Sequence, residues 1–269
     1  MRSIFEDVMV GVISYRRPDS VERMQEFHDD IVWCLADNKD VRDYSAAGVR
    51  DMVLAPDLST TIQRNRLCDI ADLDDVWICC IDDDLLALHE WNGPTREEMV
   101  EINLERVVTD IHRAMISAGA SYGGMLCGGN PFYGRSRVHT HASVASCLTV
   151  VNPSAGMRWN EDKTIEQQDD WEMTLRNIDT VGQVARVDWL IGTFSPAGDP
   201  VRGYNPKGGM TKTYEEKLGA CHRLLEDYPH LVKASSTPLL LKILKTKNSL
   251  SAEEADLYNK VNQEVKQNG

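Results

Sequence analysis

The chain has 269 residues, of which 42% are hydrophobic, and a formal net charge of −13 at pH 7. This length and apolar content suffice for one large core, or for one domain with an appendage. The acidic balance favours solubility and argues against a surface coated generally with nucleic acid. No apolar stretch approaches membrane-spanning length, and the first residues lack the apolar core of a signal peptide. We therefore expect a cytoplasmic protein with no membrane partner.

The first half of the chain alternates apolar stretches with helical patterns. Buried strands are predicted at 8–13, 31–36, 51–55 and 76–81, and helices at 21–30, 44–49 and from Ser59 onward. Pro18 ends the first strand, and Asp19 or Ser20 can cap the helix that follows. This alternation predicts an α/β fold with a mostly parallel, Rossmann-like central sheet and helices on both faces.

The second half is less regular. A helix is predicted at 95–117, because Thr95-x-x-Glu98 is typical of a capping box. Strands are predicted at 122–129, 142–151 and 184–191, and helices at 164–177 and 212–227. Residues 194–210 form a loop rich in Gly and Pro, and residues 239–267 are expected to form two helices. We therefore expect one domain over 1–230 and a C-terminal helical extension over 231–269.

Seven cysteines are spread over the chain, an odd number, with no Cys-x-x-Cys pair and no zinc spacing. Cys34, Cys79 and Cys80 lie in apolar, strand-like stretches. This usage predicts reduced, mostly buried thiols, as in cytosolic proteins.

Three consecutive carboxylates, Asp82, Asp83 and Asp84, follow the apolar strand at 76–81. Such charges repel one another unless a cation lies among them, and hard divalent ions prefer oxygen ligands. In an open α/β sheet, ligands bind at the carboxyl ends of the strands. A solvated acidic turn is the alternative for an isolated triplet, but its surroundings favour a metal site.

Polar side chains also follow the first two predicted strands and lie within the helix that begins near Ser59. Arginine suits phosphate because its guanidinium binds two oxygens at once, and a carboxylate can hold a base or a ribose. Each residue alone would more often be a solvated surface group, but their order is consistent with a nucleoside-diphosphate pocket. The residues are Tyr15, Arg16, Arg17, Asp37, Arg64 and Asn65.

In this order the elements resemble those of GT-A-fold glycosyltransferases over about residues 8–192. That family opens with a strand and a loop ending in Arg-Pro, has an acidic residue after the second strand, and places an Arg-Asn pair before an Asp-x-Asp motif. The resemblance implies that Asp82 and Asp84 bind Mn²⁺ or Mg²⁺ at the diphosphate of a nucleoside-diphosphate sugar, with a UDP-sugar expected as the donor. The nucleotide-binding residues that it implies are Tyr15, Arg16, Asp37, Arg64, Asn65, Asp82 and Asp83.

A second acidic motif, Asp169-Asp170-Trp171-Glu172, resembles the Glu-Asp-Trp-Asp motif of this family, although the first and last acids are exchanged. The resemblance places Asp170 as the general base for the acceptor hydroxyl and Asp169 beside it in acceptor binding. An amphipathic helix with an acidic first turn is the alternative. Many members have a late His that completes the metal shell; His222 and His230 are candidates by position, and His222 is taken as the third ligand.

Phe132 and Tyr133 precede Arg135 and Arg137, a combination that suits a nucleobase removed from its stack. The chain is similar to phage-type DNA-base glycosyltransferases, including the TET/JBP-associated group. This resemblance implies a hydroxymethylated pyrimidine in DNA as the acceptor, and the host cytoplasm as the location if a phage encodes the chain.

Three alternatives stay open. The acceptor could be a saccharide or a small molecule. Nucleotidyl transfer uses a similar sheet and metal site but is disfavoured, because the first strand ends in Ser14-Tyr15-Arg16-Arg17-Pro18 rather than in a glycine-rich loop. The chain could also be a non-catalytic nucleic-acid-binding module that retains the fold.

Overall fold

The computed structural model describes residues 7–55, 57, 59–127, 130–194, 214–234, 241–244, 259–260 and 263. The strands are β1 (Val8–Ser14), β2 (Ile31–Leu35), β3 (Met52–Leu54), β4 (Trp77–Asp82), β5 (Leu85–Trp91), β6 (Met99–Glu101), β7 (Tyr122–Cys127), β8 (Val138–His139), β9 (Leu148–Val151), β10 (Ala185–Phe194), β11 (Val232–Ala234) and β12 (Leu241–Ile243). The helices are α1 (Val21–Phe27), α2 (Val41–Ala46), α3 (Thr60–Leu73), α4 (Leu104–Ala118), α5 (Asp169–Val181) and α6 (Tyr214–Asp227).

One large sheet has the order β3-β2-β1-β4-β9-β7-β10-β5-β6, and β8 pairs with β10 outside this path. β1 pairs in parallel with β2 and β4, and β2 with β3. β9 runs antiparallel between β4 and β7, and β7 is parallel to β10. The predicted α/β fold is confirmed: the sheet is parallel in its N-terminal half and mixed in the remainder. Because β1, β2, β3, β4, β7 and β10 share one direction, their carboxyl ends lie at one edge, which we call the carboxyl edge.

Side chains of the central strands alternate between two cores on opposite faces of the sheet, as the pleat requires. Val12 and Trp33 belong to the core that contains α1 and α4. Ile13 and Cys34 belong to the core that contains α3, α5 and α6. The prediction of helices on both faces is therefore confirmed.

Gly11 sets how closely α3 packs on β1. A Cβ atom at Gly11 would lie 2.7 Å from Cδ1 of Leu67, so a larger residue would require the Leu67 side chain to move. Ser59 caps α3 by accepting a hydrogen bond from the backbone N–H of Ile62 at 3.3 Å. This placement fixes the first turns of α3 beside the carboxyl edge, where Gln63 bonds to the last residue of β1.

The predicted helix at 95–117 is wrong in its first part. Thr95 and Glu98 do form a capping box, but it caps only a 3-10 turn at Arg96–Glu98. Residues 99–101 then form β6, which pairs with β5, and α4 begins at Leu104 after its own cap, Asn103. The local helix signal is overridden here by long-range strand pairing, and β5 was not predicted at all.

Other boundaries also differ from the predictions. The strand expected at 142–151 is restricted to β9. The helix expected at 164–177 begins at Asp169 and ends at Val181, followed by Gly182, which takes a φ of 92°. The first of the two helices expected at 239–267 is wrong at 241–243, because β12 pairs there with β11. The proposed loop at 194–210, apart from Phe194 in β10, lies outside the described residues, as do parts of the tail.

The cysteines follow the expectation in part. Five are free and buried, but Cys127 and Cys147 form a disulfide, so the expectation of reduced thiols is wrong for this pair. The antiparallel pairing of β7 and β9 brings the end of one strand beside the start of the other. Within the described ranges, no helix is both long enough and apolar enough to cross a membrane.

Candidate functional site

The turn after β4 is anchored by Asp83. Its buried carboxylate accepts a hydrogen bond from Ser14 Oγ and lies 2.7 Å from Arg17 Nη1. Its backbone carbonyl accepts a bond from Arg23 Nη2 at 2.7 Å. Burial raises the pKa of Asp83 to about 6, although Arg17 opposes this shift. Both carboxylate oxygens are used by protein donors, so these contacts favour an anchoring role over the nucleotide contact predicted from sequence.

Tyr44 extends this network beneath the loop after β1. Its hydroxyl group is hydrogen-bonded to Ser14 Oγ and accepts a bond from the backbone N–H of Arg17 at 2.9 Å. Burial raises the pKa of Tyr44 above its ordinary value. The loop that carries Arg17 and the turn that carries Asp83 are therefore held together through buried side chains.

Asp82 and Asp84 flank this anchor. Burial, followed by the adjacent charges of Asp82 and Asp83, raises the pKa of Asp84 to about 7. Oδ1 of Asp84 is buried without a hydrogen-bond partner. A buried carboxylate oxygen that lacks a donor fits a divalent cation, which would satisfy it and offset the repulsion.

The described side chains contain no group of three or more His, Cys, Asp or Glu residues arranged to hold a metal ion. His222 is exposed on α6 and is not grouped with Asp82 and Asp84. Mg²⁺ commonly binds one or two carboxylates and completes its shell with water and substrate phosphates. A metal that arrives with a diphosphate would therefore need only Asp82 and Asp84 from the protein.

Arg64 joins the turn after β4 to the start of α5. Its side chain is 3% exposed, and Nη2 lies 2.8 Å from Asp82 Oδ1 while Nη1 pairs with Asp169 Oδ2. Its guanidinium also lies 5.7 Å from the ring centroid of Trp159. Burial alone would lower the pKa of Arg64, but Asp82 and Asp169 raise it above its ordinary value. These contacts make Arg64 a buried bridge between the two acidic motifs and favour this role over the nucleotide contact predicted from sequence.

The second acidic motif forms the first turn of α5. Asp169 is buried against Arg64, whereas Asp170 is half-buried and accepts a hydrogen bond from the backbone N–H of Trp171 at 2.8 Å. Glu172 is engaged with other residues: it is buried and pairs with Arg176 Nε at 2.9 Å. The motif therefore divides into an acidic pair near the carboxyl edge and a structural ion pair behind it.

A more exposed set of residues follows β1 and β2. Arg16 has a positive φ of 55°, and its backbone N–H donates to Asp40 Oδ2 at 3.0 Å. Its guanidinium lies 3.4 Å from Asp37 Oδ2 and 4.7 Å from the ring centroid of Tyr15. A backbone hydrogen bond from Lys39 is the main cause that lowers the pKa of Asp37. The structure thus brings Tyr15, Arg16 and Asp37 together, with the Arg16 side chain 43% exposed.

Asn65 is engaged with the protein rather than directed outward. Its Nδ2 donates to Trp159 O and to Glu161 Oε1, each at 2.8 Å, and its Oδ1 accepts from the backbone N–H of Trp159 at 2.7 Å. These bonds fix the segment that leads into α5. They favour a positioning role for Asn65 over the nucleotide contact predicted from sequence.

Sequence reasoning missed Gln63, which ties two strand ends together. Its Nε2 donates to Ser14 O at 3.1 Å and to Cys34 O at 2.8 Å. Gln63 could have been identified from its position beside Arg64, in the first turns of a helix that follows a strand. Tyr44 was missed as a site residue because its partners Ser14 and Arg17 lie 30 and 27 residues away. Ser14 was included among the residues at the strand end, but its bond to Asp83, 69 residues away, was not predicted.

The carboxyl edge therefore combines an acidic turn, an exposed arginine beside a carboxylate, and a helix-borne acidic pair tied to that turn by Arg64. Comparison of the chain with protein-family models and with curated proteins found no match. The chemistry of this edge is accordingly inferred from its residues and their geometry.

Proposed function

We propose that the protein is a GT-A-like, metal-dependent glycosyltransferase that moves a sugar from a nucleoside-diphosphate sugar, with UDP as the expected nucleotide, to a hydroxyl acceptor. The observation that carries the proposal is the Arg64 bridge between Asp82 and Asp169. It keeps a metal-binding turn and an acidic helix start at one edge of the sheet. Sugar transfer needs both, since charge develops on the leaving diphosphate while the acceptor hydroxyl loses its proton.

In this proposal Asp82 and Asp84 hold Mn²⁺ or Mg²⁺, which when bound neutralises charge on the diphosphate. The support for this assignment is the partnerless buried oxygen of Asp84 together with the raised pKa of that carboxyl. Arg16 is exposed enough to reach a phosphate, and Asp37 and Tyr15 lie beside it as contacts for the nucleoside.

The general base is assigned to Asp170. Asp169 is buried and bonded to Arg64, so its oxygen is already directed at a permanent cation. Asp170 is half-buried at the first turn of α5 and adjoins that pair. It would take the proton of the acceptor hydroxyl as the oxygen attacks the anomeric carbon.

The proposed acceptor is a hydroxymethylated pyrimidine in DNA, and the proposed location is the cytoplasm. Exposed Phe132 and Tyr133 support a nucleic-acid acceptor over a saccharide, because Arg135 is exposed two residues after Tyr133 in the same loop. A non-catalytic nucleic-acid-binding module is the second candidate, favoured by the same loop.

Donor binding separates these two candidates. UDP with Mn²⁺ should raise the melting temperature of the protein, because a ligand that binds only the native state stabilises it. The double variant Asp82→Asn/Asp84→Asn should lose the metal-dependent part of this increase, while Asp72→Asn/Asp74→Asn, at the far end of α3, serves as the matched control. No increase with any nucleotide and metal would reject the transferase in favour of the module.

A further inference from the structure

Two adjacent aromatic side chains are exposed in the loop between β7 and β8. Phe132 is 62% exposed and Tyr133 is 63% exposed. Their ring centroids lie 5.4 Å apart with the ring planes at 86°. Single exposed apolar residues, such as Leu73 and Ile116 elsewhere, are normal on a protein surface. Two adjacent exposed aromatic rings are less usual and indicate a binding surface.

The loop holds these rings in place. Asn130 Oδ1 accepts a hydrogen bond from the backbone N–H of Phe132 at 3.0 Å, and Trp91 Nε1 donates to Pro131 O at 2.9 Å. Gly134 packs so closely on Trp91 that an added Cβ would lie 2.1 Å from its ring. The rings are therefore presented outward on a fixed support, which lowers the entropy lost when a ligand binds.

The same loop is anchored to β10 through Asp188. This carboxylate is fully buried and lies 2.9 Å from Arg137 Nε and 2.8 Å from Arg186 Nε. The backbone N–H of Arg135 donates to Asp188 O at 3.1 Å. One buried carboxylate thus faces two arginines, while Arg135 is exposed beside the aromatic pair.

The surrounding sequence is positive in a chain that is otherwise strongly acidic. The loop between β7 and β8 contains Arg135 and Arg137 and no Asp, Glu or Lys, although the whole chain carries a net charge of −13. Local positive charge beside flat exposed rings is the combination that single-stranded nucleic acids bind, since every base has a stacking face and every linkage a phosphate.

We propose that Phe132 and Tyr133 form a stacking platform for the bases of single-stranded DNA, with Arg135 and Arg137 beside its phosphates. Under the proposed function, the platform would present the acceptor strand to the transferase. Only this role of the platform, and not its binding of DNA, rests on the proposed function. Phe132 lies five residues after the end of β7, whose carboxyl end lies at the same edge as Asp82.

The test is the fluorescence anisotropy of a labelled DNA single strand of about 12 nucleotides, measured at low salt without donor or metal. Phe132→Ala/Tyr133→Ala should weaken binding about tenfold or more, because each stacked base is lost. The exchange Phe132→Tyr/Tyr133→Phe keeps both rings and should bind like the parent protein. Leu73→Ala/Ile116→Ala removes exposed apolar side chains elsewhere and should also bind normally.

Unchanged binding by the alanine variant, or no single-strand binding by the parent protein, overturns the platform. Loss of binding to an oligosaccharide instead of DNA in the alanine variant also overturns it, because the rings would then stack on sugars. The melting temperatures of all variants, measured alone, show that folding is retained.

This outcome is independent of the transferase proposal. If the alanine variant loses DNA binding while UDP and Mn²⁺ stabilise no variant, the platform stands and the transferase fails. If UDP and Mn²⁺ stabilise the protein but the alanine variant binds DNA normally, the transferase stands and the platform fails.

Discussion

Asp170 is the residue on which the proposed chemistry depends. It adjoins Asp169, whose carboxylate is directed at Arg64, and lies at the first turn of a helix whose N-terminal dipole favours negative charge. Two neighbouring carboxylates thus have different surroundings, one in a buried ion pair and one half-buried. Such a division is how two acids in one site take different roles.

We expect Asp170→Asn to lower the rate of sugar transfer by about 10²-fold to 10⁴-fold, because the amide cannot accept the proton. Stabilisation by UDP and Mn²⁺ should be retained, since the change does not touch the Asp82 turn. Asp179→Asn, on the exposed side of the same helix, is the control. Transfer at the parental rate by Asp170→Asn would remove this residue from the mechanism.

The roles of single residues were only partly predictable from sequence. Tyr15, Arg16 and Asp37 were placed correctly together, because each follows a strand that reaches the same edge. Asp83 and Asn65 were predicted to face the nucleotide but bond to the protein, and Gln63 was missed. Which side of a turn or helix a polar group faces depends on partners distant in sequence.

At the scale of elements, β4, α3 and α5 are joined by one buried cation. Arg64 of α3 reaches Asp82 at the end of β4 and Asp169 at the start of α5. Removing it would leave two carboxylates facing each other with no positive charge between them. The three elements depend on this pairing for their positions at the carboxyl edge.

Arg64→Met should lower the free energy of unfolding by about 3 kcal/mol, the effect typical of removing one partner from a buried ion pair. Urea denaturation measures this change. Arg66→Met, exposed on the same helix, should change stability by less than about 0.5 kcal/mol. Equal stability of the two variants would show that the bridge does not hold these elements.

The pairing of β8 with β10 introduces a pH dependence. Burial lowers the pKa of His139 to about 4, although Asp188 opposes the shift. In the unfolded chain this pKa is about 6.5. The folded state therefore binds fewer protons than the unfolded state between these values, so stability is fully present above pH 6.5 and falls as the pH decreases toward 4.

The parent protein loses stability between pH 6.5 and 4.5. We expect this loss to be smaller by about 2 kcal/mol in His139→Gln. Urea denaturation at several pH values gives this difference, which isolates His139 from the other titrating groups. His222→Gln, on a histidine exposed on α6, is the control. Parallel pH profiles for His139→Gln and the parent would show that folding does not change the pKa of His139.

Elements with strong local signals were predicted, and those formed by distant pairing were not. β1, β2 and β4 are apolar runs long enough to be recognised alone. β6 follows a capping box that suggests a helix, and β12 exists only because it pairs with β11. Local patterns carry no information on such pairings.

At the scale of the molecule, the sheet gathers residues from positions 14 to 170 at one edge. The common direction of β1, β2, β4, β7 and β10 produces this gathering, and the alternation of strands and helices predicted it. The position of β9 between β4 and β7 was not predictable, because the sequence of a strand does not show whether it runs parallel or antiparallel to its neighbours.

The proposed function requires this edge to transfer a sugar with the help of a metal ion. The most direct measurement is the intact mass of hydroxymethylated DNA incubated with the protein, Mn²⁺ and a panel of nucleoside-diphosphate sugars. We predict a mass increase of one sugar residue per modified base with one of the donors, absent with a metal chelator and absent for Asp170→Asn. Unchanged mass of DNA, and of saccharide acceptors tested in parallel, with every donor would contradict the account.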